Sequence, residues 1–239
     1  MAPRHGKNTT VLLGSVNLSS YLDSMDLSVD AERTDTSTFG TSWRSSLASF
    51  VEGKVDFSGY YDPTEAALPT MFAAALPAAL TYCPGGGAAL GDAARLVSAI
   101  ETSYAESSPV GGAVAIKGSF VADGKVGYGN VLCPLGVVTG TTNGGDQDDL
   151  ASTSTGWTAH LHVTAVSSGT WTVKIQDAAT TDWADITPAI TFTATTGATS
   201  QRLMSATDTA TVRRHVRYVA TVAGGTVPTI TMFVAFSRN

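Results

Sequence analysis

At 239 residues the chain is long enough for one large domain or two ordinary ones, and a hydrophobic fraction of 43% supports a real core. Only 14% of residues are charged, with Thr, Ser, Ala and Gly making up the balance, a profile that suits all-β proteins and surfaces covered by neighbours. The net charge of −6 argues against gripping nucleic acid by its phosphates, and no apolar run approaches the length of a membrane span.

The N-terminal MAPRHGKNTTVLLG has basic residues but too short an apolar run for a signal peptide. A short strand is expected over Thr10–Leu13, then a turn with a brief helical piece at Leu18–Leu22, then a long strand from Ser24 to Glu32. In that strand Met25, Leu27, Val29 and Ala31 share one face, while Asp26, Ser28, Asp30 and Glu32 share the other. After the segment 33-RTDTSTFGTSWRSSLAS-49, Val51, Val55, Phe57 and Tyr61 face one way, and Glu52, Lys54, Asp56 and Ser58 the other. Period two in both arms predicts an antiparallel pair with one buried face and one wet, mostly acidic face. The intervening segment is long for a hairpin turn, since structureless loops above ~12–15 residues are uncommon unless they have a job. It is mostly Thr and Ser, yet it holds Phe39 and Trp43.

A helix is expected over 62-DPTEAALPTMFAAAL-76, with Asp62 as N-cap, Pro63 at the first position and Glu65 three residues after the cap. Leu68, Met71, Phe72 and Leu76 give it an apolar stripe. A second hairpin follows, in which Leu96, Ser98, Ile100 and Thr102 alternate with Arg95, Val97, Ala99 and Glu101. Its return strand alternates Val114, Ile116, Gly118 and Phe120 with Ala113, Ala115, Lys117 and Ser119, and 125-KVGYGNVLC-133 closes this half. The stretch 136-GVVTGTTNGGDQDDLASTSTG-156 breaks all periodicity and reads as a linker or a domain edge. Beyond it, strands at 157–166, 170–178, 189–195, 200–206, 213–222 and 229–237, with turns between and no helix, read as a small β-sandwich. The expected domains are therefore 1–138, a linker over 139–155, and 156–239.

Catalytic and metal chemistry is not indicated. His160 and His162 share a strand face but lack a third ligand and read as surface histidines. His5 and His215 are isolated, and there is no GxSxG elbow. The run 84-PGGGAALGDAAR-95 does not match a nucleotide fingerprint and reads as a flexible loop. Asp146, Asp148 and Asp149 lack the spacing of a calcium loop and read as solvated. Arg213, Arg214 and Arg217 alternate with Val216 and Tyr218 along a strand and read as a solvated or interface side. Cys83 and Cys133 read as reduced thiols. No enzyme, cofactor or metal is expected.

The order 16-VNLSSYLDSMDLS-28, Thr38-Phe39-Gly40, 53-GKVDFSGYYDP-63 and a helix, followed by 112-GAVAIKGSFVADGKVGYGN-130, resembles the major tail (tail tube) proteins of long-tailed, siphovirus-like phages. The likeness covers about residues 9–135. The C-terminal block, with 170-TWTVKIQDA-178 and 216-VRYVATVAGGTVPTITMFVAFSR-238, looks like the extra immunoglobulin-like or jelly-roll-like sandwich that some of these proteins carry, and is similar to carbohydrate-binding sandwiches too.

The resemblance implies a mainly β fold: a tail-tube-like β-barrel or sandwich of two long hairpins with one α-helix, plus the outer sandwich. It implies hexameric rings stacked into a virion tail tube, assembled in the host cytoplasm, through which DNA passes on ejection without specific binding. Tape measure, terminator and distal tail proteins would be its other partners, and no membrane is involved. On this model Asp26, Asp30, Glu52, Lys54, Asp56, Glu101 and Lys117 are the lumen-facing candidates. Thr38, Phe39, Gly40, Trp43 and Arg44 form the inter-ring contact loop, with Phe39 and Trp43 as anchors. The competing expectation is a non-catalytic surface or carbohydrate-binding module.

Overall fold

The computed structural model describes residues 6–39, 42–61, 77–184, 186 and 190–239, without the side chains of 48 and 49. The expected helix over 62–76 lies outside the described residues. After a 3-10 turn at Gly6–Asn8, the strands of the first half are β1 (Thr10–Leu13), β2 (Val16–Asn17), β3 (Leu22–Asp35), β4 (Ser46–Tyr60), β5 (Ala78–Cys83), β6 (Ala93–Ser107), β7 (Ala115–Ala122) and β8 (Gly127–Thr139). The second half adds β9 (Thr142–Asn143), β10 (Gln147–Asp148), β11 (Trp157–Val166), β12 (Thr170–Ala178), β13 (Ile190–Thr191), β14 (Thr199–Met204), β15 (His215–Ala223) and β16 (Thr229–Arg238). The described residues are thus mainly antiparallel β. Where a helical piece was expected at Leu18–Leu22 there is a turn. The Asn17 carboxamide oxygen accepts from the Ser19 amide (3.1 Å) and hydroxyl (2.6 Å), a local bond that competes with helix.

Two compact units emerge, and they follow hydrogen bonding rather than chain order. One holds Tyr21–Pro77 and Ala99–Val126; the other holds Met1–Ser20, Ala78–Ser98 and Gly127–Asn239. Strand β6 contributes its first residues to the larger unit and its last to the smaller.

The smaller unit is an antiparallel sheet in the order β3-β4-β7-β6. Its register aligns the period-two pattern across strands: Met25 lies opposite Phe57, Leu27 opposite Val55, Val55 opposite Phe120, and Phe57 opposite Gly118. Val55, Phe57, Ile116 and Phe120 are buried on this face. Gly118 has a specific reason to be glycine. A Cβ there would sit 2.5 Å from ring atoms of Phe57, which crosses the bare backbone to stack on Phe120 with ring centroids 5.5 Å apart.

The larger unit is a sandwich. One sheet runs β14-β11-β16-β8-β6-β5-β1-β2, and the other runs β10-β15-β12-β13 with β9 beside β15. Trp171, Val173, Ile175, Val216 and Ala220 of the second sheet pack against Leu161, Val163, Ile230, Met232 and Val234 of the first. The opposite face of β16 is covered too, with Phe233 and Ala235 packed among Leu12, Cys83, Leu96 and Val131. Burial on both faces explains why 232-MFVAF-236 is an unbroken apolar run rather than an alternating one.

Two features of this unit depart from the sequence reading. His160 and His162 are not surface residues; both are fully buried and joined through Thr81. The 139–155 segment, expected as a free linker, carries β9 and β10 on β15 and is tied down by its acids. Asp146 meets His215 (2.9 Å), Asp148 meets Arg214 (2.6 Å), and Asp149 meets Arg238 (2.8 Å). Local composition showed polar residues, whereas their cationic partners lie far along the chain. Cys83 and Cys133 are free and buried, and burial pushes their thiols up to about 12 and about 11.

Candidate functional site

The functional candidates sit on the smaller unit, as a projecting hairpin arm and a charged sheet face. The arm is the far end of β3 and β4. Pairing continues well past the expected strand ends, to Asp35 opposite Ser46, so the long polar loop shrinks to residues 36–45. Its base is pinned by the Thr36 amide donating to the Ser45 carbonyl (2.8 Å) and the Ser45 amide donating to the Ser37 hydroxyl (2.9 Å). The Ser37 amide in turn donates to Asp35 Oδ1 (2.8 Å), and hydrogen bonding from the Ser37 side chain first, then from this amide, lowers that carboxyl below its ordinary range. A register shift between Ala31 and Arg33 breaks the ladder midway, and such bulges bend and twist a ribbon.

Of the expected contact loop, Thr38, Phe39, Trp43 and Arg44 are exposed, and Gly40 lies outside the described residues. Phe39 is 115% exposed and Trp43 86%, so neither ring fills a pocket on its own subunit. The structure adds Leu47 and Phe50, which alternation did not single out, and Val51, exposed at 66%, 81% and 67%. Val51 was expected on the buried face. It does share the apolar side with Val55, but it lies beyond the reach of the core that covers Val55. The signal in the sequence was length. Strands of 14 and 15 residues are far longer than the usual ~5–6, and among the described residues of the unit nothing covers the far end of such a ribbon. Exposed aromatic and aliphatic side chains concentrated on one element mark an interaction surface.

The other face of the sheet collects Asp26, Asp30, Glu52, Lys54, Asp56 and Lys117. Directly opposed pairs point to the same side, and here Asp26 faces Asp56, Ser28 faces Lys54, Asp30 faces Glu52, and Ser58 faces Lys117. Two of these are like-charge pairs, which cost rather than contribute stability. Lys54 Nζ lies 3.5 Å from Asp56, and the Ser119 hydroxyl also donates to that carboxylate, so partial compensation is local.

Glu101 does not join them. It lies opposite Phe120, on the apolar face, where desolvation raises its carboxyl and its Oε2 finds no hydrogen-bond partner among the described residues. Its charge suggested the wet face, but facing is set by register, and β6 carries a bulge between Glu101 and Ser103. Among the described residues no group of three or more His, Cys, Asp or Glu is placed to hold a metal.

No family model matches the sequence, and no curated protein does. Solved structures give weak overlaps. A chain of the native gene transfer agent virion covers 53% of this chain and 98% of its own, at 13% identity and TM-score 0.43. The tube-terminating cap of the anti-feeding prophage covers 54% and 91%, at 15% identity and TM-score 0.43. The Dit protein of SPP1, a hub adsorption apparatus protein of phages infecting Gram-positive hosts, covers 95% and 98%, at 11% identity and TM-score 0.34. None of these overlaps reaches a TM-score of 0.5.

Proposed function

We propose that the protein is a structural subunit of a phage-type tail tube, in which copies form hexameric rings that stack and leave a channel for DNA. The observation that carries this reading is the pairing of an exposed apolar hairpin arm with a sheet whose other face is charged. Among the described residues β3 is an outer strand that pairs with β4 alone, and β6 bounds the other side of the four-stranded sheet. Long unpaired strand edges favour aggregation, and edge-to-edge pairing around a closed ring of copies removes them.

In such a ring the charged face lines the channel. Its acidic residues repel phosphates, and the like-charge pairs are tolerated because the wall must not hold DNA. The arm, carrying Phe39, Trp43, Leu47, Phe50 and Val51, docks on the neighbouring ring, where burying apolar surface drives axial growth. The number six, the DNA passage, the virion location and the other tail proteins come from the sequence resemblance. The role is one of assembly, not catalysis.

Negative-stain microscopy of concentrated protein tests the proposal. Rings or tubes with a central hole are expected. A protein that stays monomeric at high concentration by sedimentation would overturn it.

A further inference from the structure

The larger unit holds a cleft that the tube reading does not use. It has a volume of about 400 Å³ and is lined by Arg95, Tyr128, Asn130, Gln147, Asp149 and Arg238, with Ala93, Gly129, Leu132 and Phe236 completing its walls. The size is that of a small-ligand pocket. Its floor is one face of three adjacent strands: Arg95 pairs with Tyr128, Ala93 with Asn130, and Asn130 in turn with Phe236. Gln147 and Asp149, from the segment carrying β10, supply the opposite wall.

The polar groups divide into two sets. Arg238 is fully committed to holding the fold. Its Nε donates to Asp149 Oδ2 (2.8 Å), and its terminal nitrogens donate to Thr153 Oγ1 and to the carbonyls of Val212, Arg213 and Arg214. Asp149 is equally occupied, since its Oδ1 accepts from Gln147 Nε2 (3.2 Å) and Asn130 Nδ2 (3.5 Å). That pair is neutral as a unit and its donors are spent.

Arg95 differs. Its guanidinium lies 4.8 Å from the centroid of the Tyr128 ring and makes one backbone bond, from Nη1 to the Ala94 carbonyl (3.1 Å). No carboxylate among the described residues pairs with it. The cleft therefore carries one uncompensated positive charge in a chain whose net charge is −6. Beside that charge, Tyr128 is 55% exposed.

From this arrangement we propose that the cleft is a binding site for an acidic saccharide, of uronic-acid type. A planar guanidinium held on an aromatic ring, with most of its fork free, matches a carboxylate in bidentate geometry. The exposed Tyr128 ring offers an apolar platform with a hydroxyl tip, suited to the C–H face of a pyranose. Asn130 and Gln147 present carboxamides, whose oxygen and second N–H can meet sugar hydroxyls. A simple anion would use Arg95 but not the ring, and a neutral sugar would use the ring but leave the cation unpaired.

The site belongs to one unit of the chain and stands whether or not the protein forms tubes. Isothermal titration calorimetry on the full chain, with a uronic-acid disaccharide, its methyl ester, and acetate as probes, tests it. Saturable binding of the disaccharide is expected, at least tenfold tighter than the ester or acetate. Arg95→Gln should abolish that preference while leaving thermal unfolding unchanged. Tyr128→Ala should weaken acid and ester alike, and Tyr128→Phe should retain most binding. Equal affinity for acid and ester, acetate binding as tightly as the disaccharide, or no saturable binding would each overturn the assignment. So would an Arg95→Gln protein that is folded and binds like the parent.

Discussion

Thr81→Val removes a single oxygen from the buried histidine relay of the larger unit and keeps the volume of the side chain. His162 Nδ1 lies 2.7 Å from the Gly14 carbonyl, which only accepts, so that nitrogen carries the proton. His162 Nε2 must then accept, and the Thr81 hydroxyl donates to it at 2.7 Å. The same oxygen is left to accept from His160 Nδ1–H at 3.0 Å. Valine leaves one buried N–H and one buried ring nitrogen unpaired at positions with no access to water. At ~1–3 kcal/mol for each of the two orphaned groups, the loss should be ~2–6 kcal/mol, read from urea unfolding at pH 7.5. Acid titration gives an independent reading of the same relay.

Burial lowers the pKa of both imidazoles, His162 to about 4, and Arg202, opposite His160 in the sheet, adds to the effect at that ring. An unfolded histidine titrates near ~6.5, so below that pH the unfolded chain binds more protons and stability falls as pH falls. His162 alone should cost ~2 kcal/mol between pH 7.5 and 5, and His162→Gln should flatten that part of the curve. A valine variant within ~0.5 kcal/mol of the parent, together with a flat profile from pH 7.5 to 5, would refute the buried relay.

Phe39→Ala with Trp43→Ala should leave the monomer's urea midpoint unchanged, because both rings are largely exposed; if each anchor supplies ~2 kcal/mol on docking, the concentration at which light scattering detects tubes should rise by ~30-fold or more per residue. A double mutant that unfolds as a monomer would place the rings in the core instead. Gly118→Ala should destabilise the smaller unit by ~1–3 kcal/mol in chemical denaturation, since the new methyl must displace the Phe57 ring from Phe120. Glu101→Gln should raise the unfolding midpoint at pH 7, where the parent must keep a desolvated carboxylate ionised; because the folded carboxyl is raised, the gain should shrink as pH falls through that raised value and be gone below ~4.5. A lower midpoint at pH 7 would mean that the carboxylate has a partner worth keeping.

Local sequence determined most of the strands. Period-two alternation placed Met25, Leu27, Val55, Phe57 and Phe120 on one face and Asp26, Asp30, Glu52 and Asp56 on the other, because side-chain direction in a strand depends only on position along it. The strand at Thr10–Leu13 was legible for the same reason, as were those of the C-terminal block except the one expected over 189–195, which is a strand only at Ile190–Thr191; so was the anomaly of aromatic rings in a polar loop. Alternation by itself could not place Glu101, whose facing depends on β6's register and bulge. Nor could it see that Val51 and Phe50 stay exposed, since exposure depends on where the core ends.

His160 and His162 looked like an ordinary wet face until Thr81 and Gly14, remote in the chain, supplied their hydrogen bonds. Asp146, Asp148 and Asp149 looked solvated until His215, Arg214 and Arg238 arrived beside them. The Arg95–Tyr128 cleft joins three strands and a connecting segment that share no local motif. Secondary structure answers to neighbours one and two residues away, while burial, charge pairing and sites answer to partners that only the folded chain brings together.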